Sequence, residues 1–177
     1  FGLGPLIGGA IAQFSSRPLV MPYLPVIAGA ALCLFGLFSV KIRPAQKQPF
    51  SAAPHLQLPA PEYHGLFYTA SFTAFSAFAS FSLFASLAPS FVKEVIPWHG
   101  PLVSGSAIAM VLFLSSATQF FLRRLSLAKT YAAATAMILV ANVMLVLTLE
   151  LHSLPLFLLS IVATAMAHGL TLMAGFG

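Results

Sequence analysis

The sequence predicts an all-α protein, a polytopic bundle of transmembrane helices, and three observations carry that reading. Hydrophobic residues fill 59% of the 177 positions and charged residues only 6%, against roughly 25% charged in soluble domains. Such a chain cannot cover a water-facing surface. Five stretches free of Asp, Glu, Lys and Arg, at 18–40, 65–92, 101–122, 130–149 and 153–177, each reach the roughly 20 residues that a membrane helix needs. The few basic residues collect in the gaps between them. The formal charge of +5 rests on eight Lys and Arg with no run or stripe among them, so nucleic acid is excluded as a partner and the lipid bilayer is expected instead.

Residues 1–16 form a sixth charge-free stretch, but at about 1.5 Å per residue it reaches only about 24 Å, short of the roughly 30 Å hydrocarbon core. It reads as a helix cut within its membrane portion. A signal peptide is the competing reading, with Ala10-Ile11-Ala12 as cleavage site, but the basic n-region is absent. Gly4, Gly8 and Ala12 recur every fourth position, a spacing that lets two helix backbones approach closely. Gly9 widens that notch and Pro5 is placed to bend the helix. The 18–40 span contains Cys33, the single cysteine, so there is neither a disulfide framework nor a zinc spacing.

The gap 41–64 carries prolines at 44, 49, 54, 59 and 61, too many for a helix or buried strand, and is expected to be an extended, mobile connector. His55 and His64 sit in it without a carboxylate pair, which reads as a solvated loop rather than a metal site. No metal and no cofactor is expected anywhere in the chain. If the spans alternate, gaps 41–64 and 123–129 share a side and hold Lys41, Arg43, Lys47, Arg123, Arg124 and Lys129, leaving Arg17 and Lys93 opposite. The positive-inside rule makes the richer side cytoplasmic.

In the 65–92 span Phe72, Phe75, Phe78, Phe81 and Phe84 recur every third residue. Three residues turn a helix by about 300°, so these rings wind around it. Thr69, Thr73, Ser76 and Ser80 instead align within about 60°. Such a helix either presents hydroxyls and rings to a cavity, or packs Phe against lipid and its small residues against other helices. Gln119 and Asn142 read as interhelical hydrogen-bond partners. Between 153 and 177 the polar side chains are Ser153, Ser160, Thr164, His168 and Thr171, all within an arc of about 80°. That stripe should face protein or water. His168 is the only His, Asp, Glu, Lys or Arg inside a complete span. It is a candidate for proton coupling, because imidazole changes charge near neutral pH. The plainer reading is a neutral histidine bonded to a neighbouring helix.

The stretch Gly4-Pro5-Leu6-Ile7-Gly8-Gly9 resembles the GPxxGG end of the antiporter motif on the fifth helix of drug–proton antiporters of the major facilitator superfamily. The 41–64 connector falls where that family has the cytoplasmic loop between its two six-helix lobes, and the Arg123-Arg124 turn falls at the short loop after the eighth helix. "FSLFASLAPSFVKEV" resembles the outer end of the seventh helix in bacterial members, and "MAHGLTLMAGFG" their glycine-rich tenth. The resemblance implies a partial fold of about six helices in twelve: 1–40 ends the N-terminal lobe, 41–64 joins the lobes, and 65–177 begins the C-terminal lobe. The chain would then be a piece of a longer protein.

By the same resemblance Gly4, Pro5, Gly8 and Gly9 lie at the lobe interface. The seventh and tenth helices line a substrate cavity near the bilayer midplane, which makes Thr69, Thr73, Ser76, Ser80, Ser160, Thr164, His168 and Thr171 the cavity candidates. The implied activity is proton-coupled export of a small organic solute across a bacterial inner membrane, with uptake of a nutrient or metabolite as the nearest alternative. An intramembrane enzyme using Ser106 and His168 is a weaker reading. A rhomboid-like protease would show Gly-x-Ser-Gly where this chain has Val103-Ser104-Gly105-Ser106-Ala107, and no span holds an Asp or Glu. A dimeric six-span channel is the remaining alternative.

Overall fold

A computed structural model of the chain describes residues 2–40 and 59–175. Six α-helices follow one another: α1 (Leu3–Phe14), α2 (Tyr23–Ser39), α3 (His64–Val95), α4 (Pro101–Leu122), α5 (Leu127–Leu151) and α6 (Leu154–Gly175), with a 3-10 turn at Pro61–Tyr63 leading into α3. Four of them, α3 to α6, are long and apolar enough to cross a membrane. The 22 residues of α4, 25 of α5 and 22 of α6 reach about 33–38 Å, more than the roughly 30 Å of a hydrocarbon core. This is the architecture of a helical membrane protein.

Two expectations need correction. The stretch 18–40 is not helical throughout, because the chain turns after α1, with Val20 and Met21 both donating to the Arg17 carbonyl, and α2 starts only at Tyr23. Its 17 residues reach about 25 Å, short of the core. Proline is the cause: Pro22 has no N–H and stands as the N-cap of α2, while Pro25 falls in the first turn, where a missing N–H costs no helical bond. The second correction concerns the connector, whose last residues are helical. Pro61 opens the 3-10 turn and His64 begins α3, since proline at a first helical position loses nothing and presets φ. Residues 41–58, with His55, lie outside the described residues.

The core forms where α6 runs between α3, α4 and α5. Phe84, Phe91 and Val92 from α3, Val111 from α4, Leu145 from α5 and Phe157 and Ile161 from α6 close into one buried cluster. Phe157 stacks on Phe84 at 6.1 Å between ring centroids and lies tilted beside Phe91 at 6.1 Å. The winding phenylalanines explain how one helix serves both core and surface. Phe72, Phe75 and Phe78 are exposed, Phe81 is half-buried, and Phe84 is fully buried. Each step of three turns the ring by about 60° toward the core.

Between α5 and α6 the turn consists of His152 and Ser153, and His152 takes a left-handed conformation, φ 45° and ψ 42°. A non-glycine residue there costs about 1 kcal/mol, and the strain is the consequence of reversing the chain in two residues. The short turn sets α5 and α6 side by side along their lengths. By contrast α2 has no extended contact with the other described helices, and its apolar residues Val26, Ile27, Leu32, Phe35 and Phe38 are exposed.

Candidate functional site

The polar stripe of α6 is buried: Ser160, Thr164, His168 and Thr171 all have less than a tenth of their surface exposed. Most of it is spent on the helix itself. Ser160 Oγ donates to the Phe157 carbonyl at 2.7 Å and Thr171 Oγ1 to the Ala167 carbonyl at 2.8 Å. Thr164 Oγ1 has no hydrogen-bond partner among the described residues. His168 instead reaches across to α4, where its Nδ1 lies 2.9 Å from Ser115 Oγ.

Gly169 makes that contact available. A Cβ at residue 169 would stand 2.5 Å from the Ser115 carbonyl oxygen and 3.0 Å from Thr118 Cβ, so any larger residue would push α6 off α4 and break the bond beside it. From α3, Phe78 presents its edge to the imidazole, with centroids 5.2 Å apart and planes at 82°, and Phe81 lies tilted at 5.0 Å and 36°. Phe78, Phe81, Leu112, His168 and Leu172 line a cleft of about 400 Å³, within the range of small-molecule sites. It lies near the middle of α3 and α4 and in the C-terminal half of α6.

The hydroxyl stripe of α3 has a different surrounding. Thr69 is exposed and bonded to the Gly65 carbonyl at 2.8 Å, Thr73 is buried and Ser76 half-buried. Ser80 Oγ accepts from Asn142 Nδ2 on α5 at 2.9 Å, and the same amide donates to the Ile138 carbonyl at 2.8 Å. Beside that bond Ala77, Ile138 and Ala167 pack together. The Ser80 face of α3 thus meets α5 rather than the cleft. Of the eight polar candidates, His168 is the one that lines the cleft. Sequence reasoning missed its partner, Ser115, and the two rings: a serine among many in α4 carries no signal of its own, and Phe78 and Phe81 were legible only as members of the period-three series.

The structure does not bring Ser106 to His168. Ser106 Oγ donates to the Leu102 carbonyl at 2.8 Å, and the histidine is engaged by Ser115 instead. Ser115 and His168 make a serine–histidine hydrogen bond in mid-helix, where the neighbouring peptide N–H groups are spent on the helix and none is free to bind an oxyanion. No group of three His, Cys, Asp or Glu that would hold a metal converges among the described residues.

A second close approach joins α1 to α4. A Cβ on Gly9 would lie 2.5 Å from the Pro101 carbonyl oxygen and 3.2 Å from Leu102 Cα, and one on Gly105 would clash with the Pro5 carbonyl and lie 3.2 Å from Gly9 Cα. Further along, Gly2 faces Ala109 and Gln13 faces Gly100, so the two helices run antiparallel. Pro5 and Gly9 are therefore at a helix interface. Among the described residues Gly4 and Gly8 are not: nothing lies within 4 Å of a Cβ on Gly4, and only Pro22 Cβ, at 4.0 Å, approaches one on Gly8. The contact face of α1 is Gly2, Pro5, Gly9 and Gln13 instead of the 4–8–12 stripe. Its counterpart on α4, Gly105-x-x-x-Ala109, was present in the sequence as a small-residue pair. No family model, curated protein or solved structure matches this chain.

Proposed function

We propose that this chain is part of a secondary transporter of the major facilitator type, which exports a small organic solute against the flow of protons across a bacterial inner membrane, with 41–64 and 123–129 on the cytoplasmic side. The observation that carries this reading is the crossing of α1 on α4 through Pro5, Gly9 and Gly105. Under the proposed domain division α1 belongs to one lobe and α4 to the other. Alternating access requires the lobes to rock against each other, and a contact of backbone on backbone at Pro5, Gly9 and Gly105 suits that motion. The mid-span cleft at His168 supports the same reading, since such transporters hold substrate near the midplane between discontinuous or polar helix faces.

The test is flux in membrane vesicles from cells that carry the protein and from cells deleted for its gene. With an imposed proton gradient, a panel of uncharged and cationic aromatic compounds is added and internal pH is followed with a dye. Compound-dependent dissipation of the gradient that disappears in the deletion is the expected result. Identical traces from both vesicle sets overturn the proposal.

A further inference from the structure

We infer that the end of the bundle carrying the Arg123-Arg124 turn holds an anionic phospholipid, with Arg123 binding the phosphate and the glycerol region filling a cavity beside it. Such a site requires the helices to lie in a membrane and is independent of the transporter reading. Here α4 ends, α5 begins and α6 ends, and Arg123, Leu125, Leu127, Thr130, Met173 and Ala174 line a cavity of about 290 Å³. Its exposed lining mixes polar and apolar atoms, unlike the apolar cleft at His168. Thr130 spends its hydroxyl on the Ser126 carbonyl at 3.0 Å, which leaves Arg123 as the side chain able to bind a polar group. Its guanidinium lies over the Phe120 ring, with Cζ 5.3 Å from the centroid.

The charge around the cavity calls for an anion. Arg123, Arg124 and Lys129 gather within the stretch 123–129, and none of them forms an ion pair among the described residues. Glu94 and Glu150 stand at the far ends of α3 and α5, and Glu62, at the near end, is exposed. Lys129 also falls in the first turn of α5, where there is no acidic residue and no side-chain cap. A cation there opposes the helix dipole, so like charges crowd together and a bound anion relieves them. Arginine suits phosphate, because its planar fork donates two parallel hydrogen bonds.

Lipid is favoured over a free anion by what surrounds the charges. Phe120, Phe121, Leu125 and Leu127 are all exposed beside them. Cations this close to exposed hydrocarbon stand at the depth of phospholipid headgroups, where basic pockets between membrane helices take anionic lipid. A free phosphate would use the guanidinium and leave the apolar walls in water, whereas a phospholipid covers both. The volume is at the small end of the roughly 300–1,000 Å³ of ligand sites, suited to a headgroup with its glycerol rather than a whole lipid.

The test titrates the full chain, in an uncharged detergent, with phosphatidylglycerol and with phosphatidylcholine of the same acyl chains, and counts bound lipid by native mass spectrometry. One phosphatidylglycerol is expected to bind about tenfold more tightly than phosphatidylcholine. Arg123→Gln should weaken it by about tenfold or more, as loss of a hydrogen-bonded charge does. Arg124→Gln removes the same charge one residue away and outside the lining. It should cost about fivefold at most, the worth of one cation near an anionic surface. Both arginines are exposed, so neither change disturbs the packing.

Equal binding of the two lipids overturns the site. Equal losses in the two variants overturn it as well, leaving only a diffuse attraction of the basic surface for anionic lipid. Displacement of phosphatidylglycerol by millimolar inorganic phosphate would make the cavity a place for a free anion and remove the lipid. Retention of the lipid in phosphate, with Arg123 outweighing Arg124, is the result expected.

Discussion

Thr164 stands on α6 one turn after Ser160, whose hydroxyl is bonded to the Phe157 carbonyl, yet its own Oγ1 is buried without a partner among the described residues. An unpaired hydroxyl in that position costs about 1–3 kcal/mol, and valine has nearly the same shape without it. Thr164→Val is expected to raise stability by about 1 kcal/mol, read as a higher midpoint of thermal unfolding in detergent. A lower midpoint would mean that the hydroxyl has a partner. At this scale the sequence was informative about His168, because an ionisable side chain in a span stands out by composition alone. It was silent about Ser115, 53 positions away, because which serine meets the imidazole depends on how two helices cross.

The helices show the same division. The glycines of α1 announced a close helix contact, and among the described residues the face that meets α4 is that of Gly2, Pro5, Gly9 and Gln13, not the repeat at 4, 8 and 12. A small-residue repeat states that backbones can approach, and the partner decides which side is used. Gly9 faces the Pro101 carbonyl, while Gly4 faces open space. Gly9→Ala should therefore lower stability by about 1–3 kcal/mol, the range for overpacking. Gly4→Ala should be neutral or raise it by up to about 1 kcal/mol through helix propensity. Unfolding midpoints of the two variants, measured side by side, check this; equal loss in both would return the contact to the 4–8–12 stripe. In α3 the strict period of three was plain in sequence, and its winding explains why Phe72 lies outside and Phe84 inside.

For the molecule as a whole, orientation rests on charge and on helix direction together. Six of the eight basic residues fall in two gaps, and antiparallel packing of α1 on α4 points the start of α1 toward the end of α4 that carries the Arg123-Arg124 turn, with Gly2 reaching Ala109 and Phe113. With Cys33 replaced by alanine, Leu125→Cys should react with an impermeant maleimide applied from the cytoplasmic side and Trp98→Cys from the outside. Both positions are exposed. The opposite pattern would invert the topology and remove the basis for export.

By itself the sequence determined that the chain is helical and apolar enough to cross a membrane, roughly where its long helices run, and that His168 is the unusual residue among them. Those properties follow from composition and from local periodicity, which need no knowledge of neighbours. It overstated the 18–40 span because charge was counted there and proline was not. Tertiary structure alone decided that α6 is the central helix, that Ser80 turns to Asn142 on α5 while His168 turns to Ser115 on α4, and that Gly9 rather than Gly4 is the contact. The physical reason is that α3 to α6 all have apolar stretches of similar composition, so hydrophobicity places each in the bilayer without choosing its partners. That choice is made by a few hydrogen bonds and close approaches between helices.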